Sequence, residues 1–457
     1  MTNKRNPPGP ASIFSLPVYI DLFRDPLSFL TKVSRQYGDI VYMRLGSRRD
    51  YLLNHPDLIQ KAILSPEILE RSTSRVLRQM LGRGLLTTDM ESHSEQKRYL
   101  QPAFHKQRIN EYAAIMFTIA RNLSRQWEGK TTIDVAREMN HLALDIVVKT
   151  LLGSEGEKEE EDIVEALETI KDLTDQKKSA FIDALLSRLP LPRSARYWKA
   201  RACLDRRIYE IIKKKRAANL NGHDLVTTLL LAQDSPQACP FLSDTLVRDE
   251  VMTMFAAGHE TIASAMTWTW YLLSQNPDVE EKLHDEVDQV LGADSALSPD
   301  LSRLVYTKKV FLESMRLYPP VWLIVRHPVK DVEIGGYAIP AGSYVHLCQY
   351  LMHHDPRYFP NPEKFDPERW TPEAASMRPK FCYFPFGGGK RICIGEAFAM
   401  TEGIIVIAAL AQKWRLRRVS HNAVELEPMI TLRPKNGLPM KLQKRSVDVR
   451  HEYTVPR

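Results

Sequence analysis

Apolar residues recur at helical spacing over most of positions 56–330. On either side of that stretch the period changes. Residues 39–54, D-I-V-Y-M-R-L-G-S-R-R-D-Y-L-L-N, read as two strands around a turn at Gly46. Residues 331–347 turn to strand character again, with a hairpin signal at Gly335-Gly336. Proline and glycine then make 357–392 loop-rich, one helix is expected at roughly 395–412, and 413–443 alternate as strands. Residues 1–35 predict a proline-punctuated entry followed by a short helix. Within the helical stretch, S-R-L-P-L-P-R-S at 187–194 predicts a loop. Ser243 and Asp244 are good helix caps. From them the pattern allows one unbroken helix to Gln275, about 30 residues or ~45 Å at 1.5 Å per residue. Asn276-Pro277 starts the next helix in cap-then-proline order. There is no internal repeat and no dividing linker. The expectation is one domain over 1–443, mainly α with a small β portion (α+β), and a mobile tail at 444–457.

Composition narrows the function. The chain has 457 residues, 44% hydrophobic and 26% charged, as an ordinary globular protein has. That length can bury a large core and still enclose a sizeable cofactor. The net charge is +7, but no basic stripe interleaved with aromatics is present, so nucleic acid is not the expected partner. The acidic run Glu155 to Asp162 reads as a solvated face or loop. Five scattered cysteines, Cys203, Cys239, Cys348, Cys382 and Cys393, form no C-x-x-C pair, which argues against a disulfide framework or a zinc site and fits a reducing compartment. The longest late apolar run, Gly403 to Ala411, falls short of the ~20 residues of a membrane span. With no signal-peptide pattern at the start, the expectation is a cytoplasmic, monomeric protein without a membrane anchor.

The most informative segment is F-P-F-G-G-G-K-R-I-C-I-G-E-A-F, Phe384 to Phe398. Glycines let a backbone turn tightly and approach a flat ligand closely. Cys393 sits just before a helix start, where free N–H groups and the helix dipole favour a thiolate. A G-G-G phosphate loop is the rival, but it lacks the G-K-[ST] ending and a preceding strand. The string matches F-x-x-G-x-R-x-C-x-G at Phe386, Gly389, Arg391, Cys393 and Gly395. Here the chain resembles the cytochrome P-450 family. Two further motifs fit that resemblance. Glu313-Ser314-Met315-Arg316 is E-x-x-R, with Glu313 and Arg316 on one helix face, followed by F-D-P-E-R-W at 365–370. On the long helix stands Ala257-Gly258-His259-Glu260-Thr261, where a mid-helix glycine costs ~1 kcal/mol against alanine and calls for a reason.

The resemblance implies a cytochrome P-450 fold, a helical body with haem b between the long central helix and the cysteine loop. Cys393 would be the metal ligand. Thr261 and Glu260 would be catalytic, in hydrogen bonding to bound dioxygen and in relaying protons. The central helix would open near Gly258. Ala257, Gly258, Phe386 and Gly387 would lie against the cofactor, with Arg391, Arg326, His93 and Lys97 toward its propionates and Arg98 as the alternative to Lys97. The family's W-x-x-x-R is replaced here by His93 and Lys97. Glu313, Arg316 and Arg369 would be structural. The pocket wall is expected at about 72–88, at 180–195, at Phe255, Ala256 and Ala257, at Val321, Trp322, Leu323 and Ile324, and at Met429 and Ile430. Trp322 reads equally well as plain core.

The implied activity is that of a monooxygenase that uses dioxygen to hydroxylate or epoxidise a lipophilic molecule: a fatty acid, a terpenoid, a steroid or a polyketide-like compound. Electrons would come from NAD(P)H through a separate ferredoxin or flavodoxin and its reductase. Lys97, Arg98, Lys106, Lys380 and Lys390 are candidates for a basic docking face. Two other readings are a peroxide-driven or isomerising haem-thiolate enzyme, against which Glu260 and Thr261 argue, and a haem protein that binds ligands without turnover.

Overall fold

The segments with helical spacing fold as helices, and the two alternating regions pair into sheets. The computed structural model describes residues 6–445, apart from 11–19, 23, 69, 72–77, 79, 154–161, 164, 168, 171–194, 221, 235–241, 293–299 and 421. The expected acidic run up to residue 161, the loop at 187–194, much of the pocket region at 72–88, nearly all of that at 180–195, and the tail beyond Arg445 therefore lie outside the described residues. Of the residues expected in the tail, Lys444 ends a strand and Arg445 pairs with Asp288.

The longer helices are α1 (Pro26–Tyr37), α2 (Pro56–Leu64), α3 (Met90–Leu100), α4 (Lys106–Gln126), α5 (Val135–Val147), α6 (Ala195–Ala217), α7 (Leu225–Asp234), α8 (Asp244–Gly258), α9 (Glu260–Gln275), α10 (Pro277–Leu291), α11 (Val305–Leu317) and α12 (Glu396–Ala411). The strands are β1 (Ile40–Leu45), β2 (Arg48–Leu53), β3 (Glu70–Arg71), β4 (Thr132–Asp134), β5 (Ile324–His327), β6 (Val332–Ile334), β7 (Tyr337–Ile339), β8 (Tyr344–Leu347), β9 (Trp414–Arg418), β10 (Leu426–Pro428), β11 (Leu432–Pro434) and β12 (Pro439–Lys444). They form a sheet of order β1-β2-β8-β5-β3, a sheet of order β4-β12-β9, and the pairs β6-β7 and β10-β11. Among these described strand pairs only β2–β8 is parallel.

The largest core lies among the helices. α12 is apolar nearly all round, so it must be buried on every side. It packs on α4, α9 and α11. Phe398 of α12 meets Tyr112 of α4 edge-on at 5.8 Å. Trp127 and Trp414 do the same at 6.1 Å, bringing the end of α4 against β9. Two smaller cores lie under the main sheet, one including Tyr51, Ile63, Phe359 and Phe384, the other Leu30, Met43, Leu52 and Trp322. The caps fall where the sequence places them. Ser243 Oγ accepts from the Leu246 N–H at 3.3 Å, and Pro277 opens α10 after Asn276.

One element differs from the pattern. The long helix is not continuous. It divides at His259 into α8 and α9. Two side chains take over carbonyls at the break. His259 Nδ1 bonds the Phe255 oxygen at 2.6 Å, and Thr261 Oγ1 donates to the Ala257 oxygen at 2.8 Å. Such insertion of side-chain donors into the ladder is a known cause of helix interruption. Gly258 sits at the close approach to α5. A Cβ there would lie 3.3 Å from Val147 Cγ2.

Candidate active site

The cysteine loop begins with a tight turn in which the Gly387 N–H donates to the Phe384 oxygen at 2.9 Å. Gly387 has φ 72° and Gly389 φ 64°, the left-handed region that favours glycine. Between them, a Cβ on Gly388 would meet Phe381 Cε1 at 2.6 Å. The Cys393 N–H then returns to the Phe386 oxygen at 3.0 Å, closing the loop two residues before Gly395 caps α12. The four described cysteines differ sharply. Cys348 and Cys382 are buried, and burial pushes their thiols up to about 12 and about 11. Cys203 is half-buried, and Cys393 alone among the four is exposed. A soft donor with accessible surface, on a glycine-flattened loop at a helix start, fits a sulfur ligand to the iron of a flat macrocycle.

That loop is braced from below. Glu313 and Arg316 are fully buried and pair through two bonds of 2.9 Å. Glu313 also accepts from Arg369 Nε (3.2 Å), Trp370 Nε1 (2.9 Å) and the Asp366 N–H (3.1 Å). Arg316 donates on to the carbonyls of His353 (2.9 Å) and Lys364 (3.1 Å). A buried pair so fully hydrogen-bonded offsets the cost of desolvating its charges. The short helix Gln349–His353 links this cluster to the cysteine loop. His353 Nε2 accepts the Phe384 N–H at 3.0 Å, and Gln349 Nε2 donates to the Phe384 and Pro385 oxygens at 2.9 and 3.2 Å. Burial drives the His353 imidazole well below its ordinary value, which keeps it neutral and able to accept. Neither Gln349 nor His353 was singled out by sequence, because no local motif marks a bond across more than 30 residues.

At the helix break, Ala256 to Thr261 are half-buried while their neighbours on both sides are buried. Phe255 does not share that exposed stretch. It is 1% exposed, so its ring belongs to the core and not to an open pocket wall as expected. Glu260 is held by β11 and its approach. Thr431 Oγ1 donates to its Oε1 at 2.8 Å, and Arg433 Nη1 lies 3.8 Å from the same oxygen. No local motif marks Thr431 or Arg433, so the sequence does not foretell either contact. α8 also holds the loop that precedes α3. Asp249 Oδ2 accepts from the Arg83 N–H at 2.8 Å, and Glu250 Oε2 from the Leu85 N–H at 2.9 Å.

The basic candidates gather near the same loop. Arg391 donates to the carbonyls of Thr88 (2.9 Å) and Leu85 (3.4 Å), so it ties the cysteine loop to the segment before α3. Lys97 Nζ lies 3.4 Å from the Ile392 oxygen and 3.5 Å from that of Lys390. Burial lowers its pKa, and the neighbouring Cys393 sulfur pulls it partly back. Arg98 donates instead to Tyr99 Oη at 2.8 Å. Arg326 on β5 and His93 on α3 are buried. Val321, Leu323 and Ile324 are half-buried, and Ile324 Cδ1 is 3.7 Å from the Cβ position of Gly387. Trp322 is buried and donates to the Met429 oxygen at 3.0 Å, the core alternative of the two readings. Met429 and Ile430 are 37% and 74% exposed.

A thiol donor and several cations converging on one glycine loop, with a broken polar helix in the same chain, call for comparison with known proteins. The family model for cytochrome P-450 matches residues 6–440. The chain belongs to the cytochrome P-450 family. It is 37% identical over 413 residues to cyclooctatin synthase of Streptomyces melanosporofaciens, covering 90% of this chain and 89% of that protein. To cyclooctat-9-en-7-ol 5-monooxygenase of the same organism it is 36% identical over 414 residues, with the same coverage. Among solved structures it is similar to a cyanobacterial cytochrome P-450 with retinoic acid bound, at a TM-score of 0.85 and 26% identity, covering 97% of this chain and 100% of that one. The fold is therefore the cytochrome P-450 fold, and the protein is a haem-dependent oxidoreductase of the monooxygenase class. Among the described residues no helix is long and apolar enough to cross a membrane.

Proposed function

We propose that this cytochrome P-450 hydroxylates or epoxidises a polycyclic terpenoid, with Cys393 as the sulfur ligand of its haem. The accessible thiol on the closed glycine loop is the observation behind this reading. The relatives add the substrate class, since one is named for cyclooctatin and another for oxidation of the alkenol cyclooctat-9-en-7-ol. When bound, haem supplies dioxygen activation: two electrons and two protons are consumed, one oxygen atom leaves as water, and the other enters a C–H bond or an alkene.

The chain's residues do the rest. The Cys393 thiolate holds the metal and pushes electron density toward it. Phe386 and Gly387 would lie against the ring, as would Ala257 and Gly258 from the broken helix. Arg391, Arg326 and His93 would donate charge-assisted hydrogen bonds to the propionates, with Lys97 at the edge of the loop. The Thr261 hydroxyl, held on the Ala257 oxygen, is placed to orient the oxygen substrate and a water. Glu260 passes protons to that water. Ala256, Val321, Leu323, Ile324, Met429 and Ile430 form an apolar wall that positions the hydrocarbon and excludes stray water.

Electrons arrive from NAD(P)H through a separate ferredoxin or flavodoxin and its reductase. Arg98, Lys106, Lys380 and Lys390 are exposed and attract an acidic partner. The protein acts as a monomer in the cytoplasm. The test is the carbon monoxide difference spectrum of the reduced protein, followed by turnover of polycyclic terpene alcohols with a surrogate ferredoxin system. A far-red-shifted Soret band with hydroxylated products supports the reading. A normal, unshifted Soret band would overturn it.

A further inference from the structure

Glu260 is the first residue of α9, yet its carboxylate is positioned from a segment 171 residues away. Thr431 is 2% exposed and donates to Oε1 at 2.8 Å. The Arg433 guanidinium lies 3.8 Å from that same oxygen and donates through Nε to Glu427 Oε2 at 2.9 Å. A loosely fixed loop could not aim a side chain, but this one is pinned on both sides. The Leu432 oxygen accepts from Ser264 Oγ at 2.5 Å and from Trp268 Nε1 at 2.8 Å, both on α9. The Leu432 N–H donates to the Pro320 oxygen at 2.9 Å, and the Met429 oxygen accepts from Trp322 at 3.0 Å. β11 and the first turns of α9 are thus one rigid unit.

We propose that Thr431 and Arg433 are positioning residues for proton delivery, fixing the Glu260 carboxylate through Oε1 so that Oε2 is the oxygen that takes and passes protons. The proposal rests on the reading of Glu260 as the proton relay. A carboxylate with both oxygens unanchored samples many rotamers, and an ion pair plus one hydroxyl bond on a single oxygen selects one of them. Arg433 is itself oriented by Glu427, so the guanidinium is set before Glu260 meets it. The neighbouring polar side chains at the break have other partners. Thr261 is engaged with the Ala257 oxygen, and His259 with that of Phe255.

The experiment uses the haem-loaded full chain with a surrogate ferredoxin system, and needs no known substrate. NADH consumption and hydrogen peroxide release are measured in Thr431→Val, Thr431→Ser, Arg433→Met, Glu260→Gln and the double variant Thr431→Val/Glu260→Gln. The C–O stretch of the reduced, carbon monoxide-bound protein is recorded as a readout of local polarity that does not depend on turnover. Expected results are a several-fold higher peroxide yield per NADH in Thr431→Val and Arg433→Met, a shifted C–O stretch, an unchanged Soret position, and recovery in Thr431→Ser. In the Glu260→Gln background, Thr431→Val adds nothing further, as coupling through one group requires. Wild-type peroxide yield and C–O stretch in Thr431→Val and Arg433→Met, with Glu260→Gln altered, would overturn the positioning role alone. An unaltered Glu260→Gln would overturn the relay reading, and this proposal with it.

Discussion

The cysteine loop and the broken helix are held in opposite ways. Around the loop, side chains from distant segments converge on backbone atoms: Gln349 and His353 on Phe384, Arg316 on His353, and Arg369, Trp370 and Asp366 on Glu313. Three of these bonds are buried and the three that end on Glu313 are partly buried. At the helix break the bonds to backbone are short-range, from His259 and Thr261 to carbonyls four residues earlier, while the Glu260 side chain is held from a distant segment, and Ala256 to Thr261 keep accessible surface. In the proposed reading, one region fixes a ligand atom. The other keeps polar groups where water and substrate can reach them. The loop cannot yield without losing a buried, charge-bearing network, whereas the break can lose a bond and stay folded.

The contrast predicts a descending series of effects. Cys393→Ser should abolish the far-red-shifted Soret band of the reduced, carbon monoxide-bound protein, and with it turnover. A retained band would remove the loop from the chemistry. Glu313→Gln leaves the Arg316 charge buried without its partner, which costs about 3–5 kcal/mol. Denaturant titration should show that loss together with reduced haem content. Thr261→Val keeps side-chain size but removes a single, partly exposed hydroxyl bond, worth about 1 kcal/mol or less. Its folding midpoint should barely move, while product formed per reductant falls and peroxide rises. A large stability loss here would erase the distinction between the two regions.

A separate, pH-dependent effect concerns Glu250. Burial, with the Asp249 charge adding to it, pushes its carboxyl up to about 8, against the bond from the Leu85 N–H. A carboxyl whose folded value is raised binds a proton that the unfolded chain has already released. Its stabilising share is therefore complete below about pH 4.5, the ordinary value, and is lost as pH rises toward 8. Thermal midpoints of the wild type should decline across that window, and Glu250→Gln should flatten the decline.

The cysteine loop was legible because its demands are local. Turn glycines, a cysteine and a helix start follow one another within a dozen residues. The caps at Ser243 and Asn276 and the hairpin at Gly335-Gly336 were legible for the same reason. The break at His259 was not legible from the periodicity, because apolar positions continue through it at helical spacing. Only the resemblance implied an opening near Gly258. Phe255 shows a related limit. An apolar residue on a central helix reads alike whether it faces a pocket or a core, and here it faces the core. Lys97 and Arg98 are adjacent cations that sequence could not separate; the fold turns Lys97 to the cysteine loop and Arg98 to its own neighbour Tyr99. Thr431 and Arg433 were not legible, because their partner is defined only by tertiary contact.

The back of the cysteine loop has a practical consequence for redesign. Besides the Phe381 ring behind position 388, a Cβ at position 389 would lie 2.8 Å from the Ile63 backbone oxygen at the end of α2, an atom that cannot move aside as a flexible side chain would. Mutational libraries meant to alter reduction potential should therefore leave 388 and 389 as glycine and diversify Lys390, whose side chain is exposed.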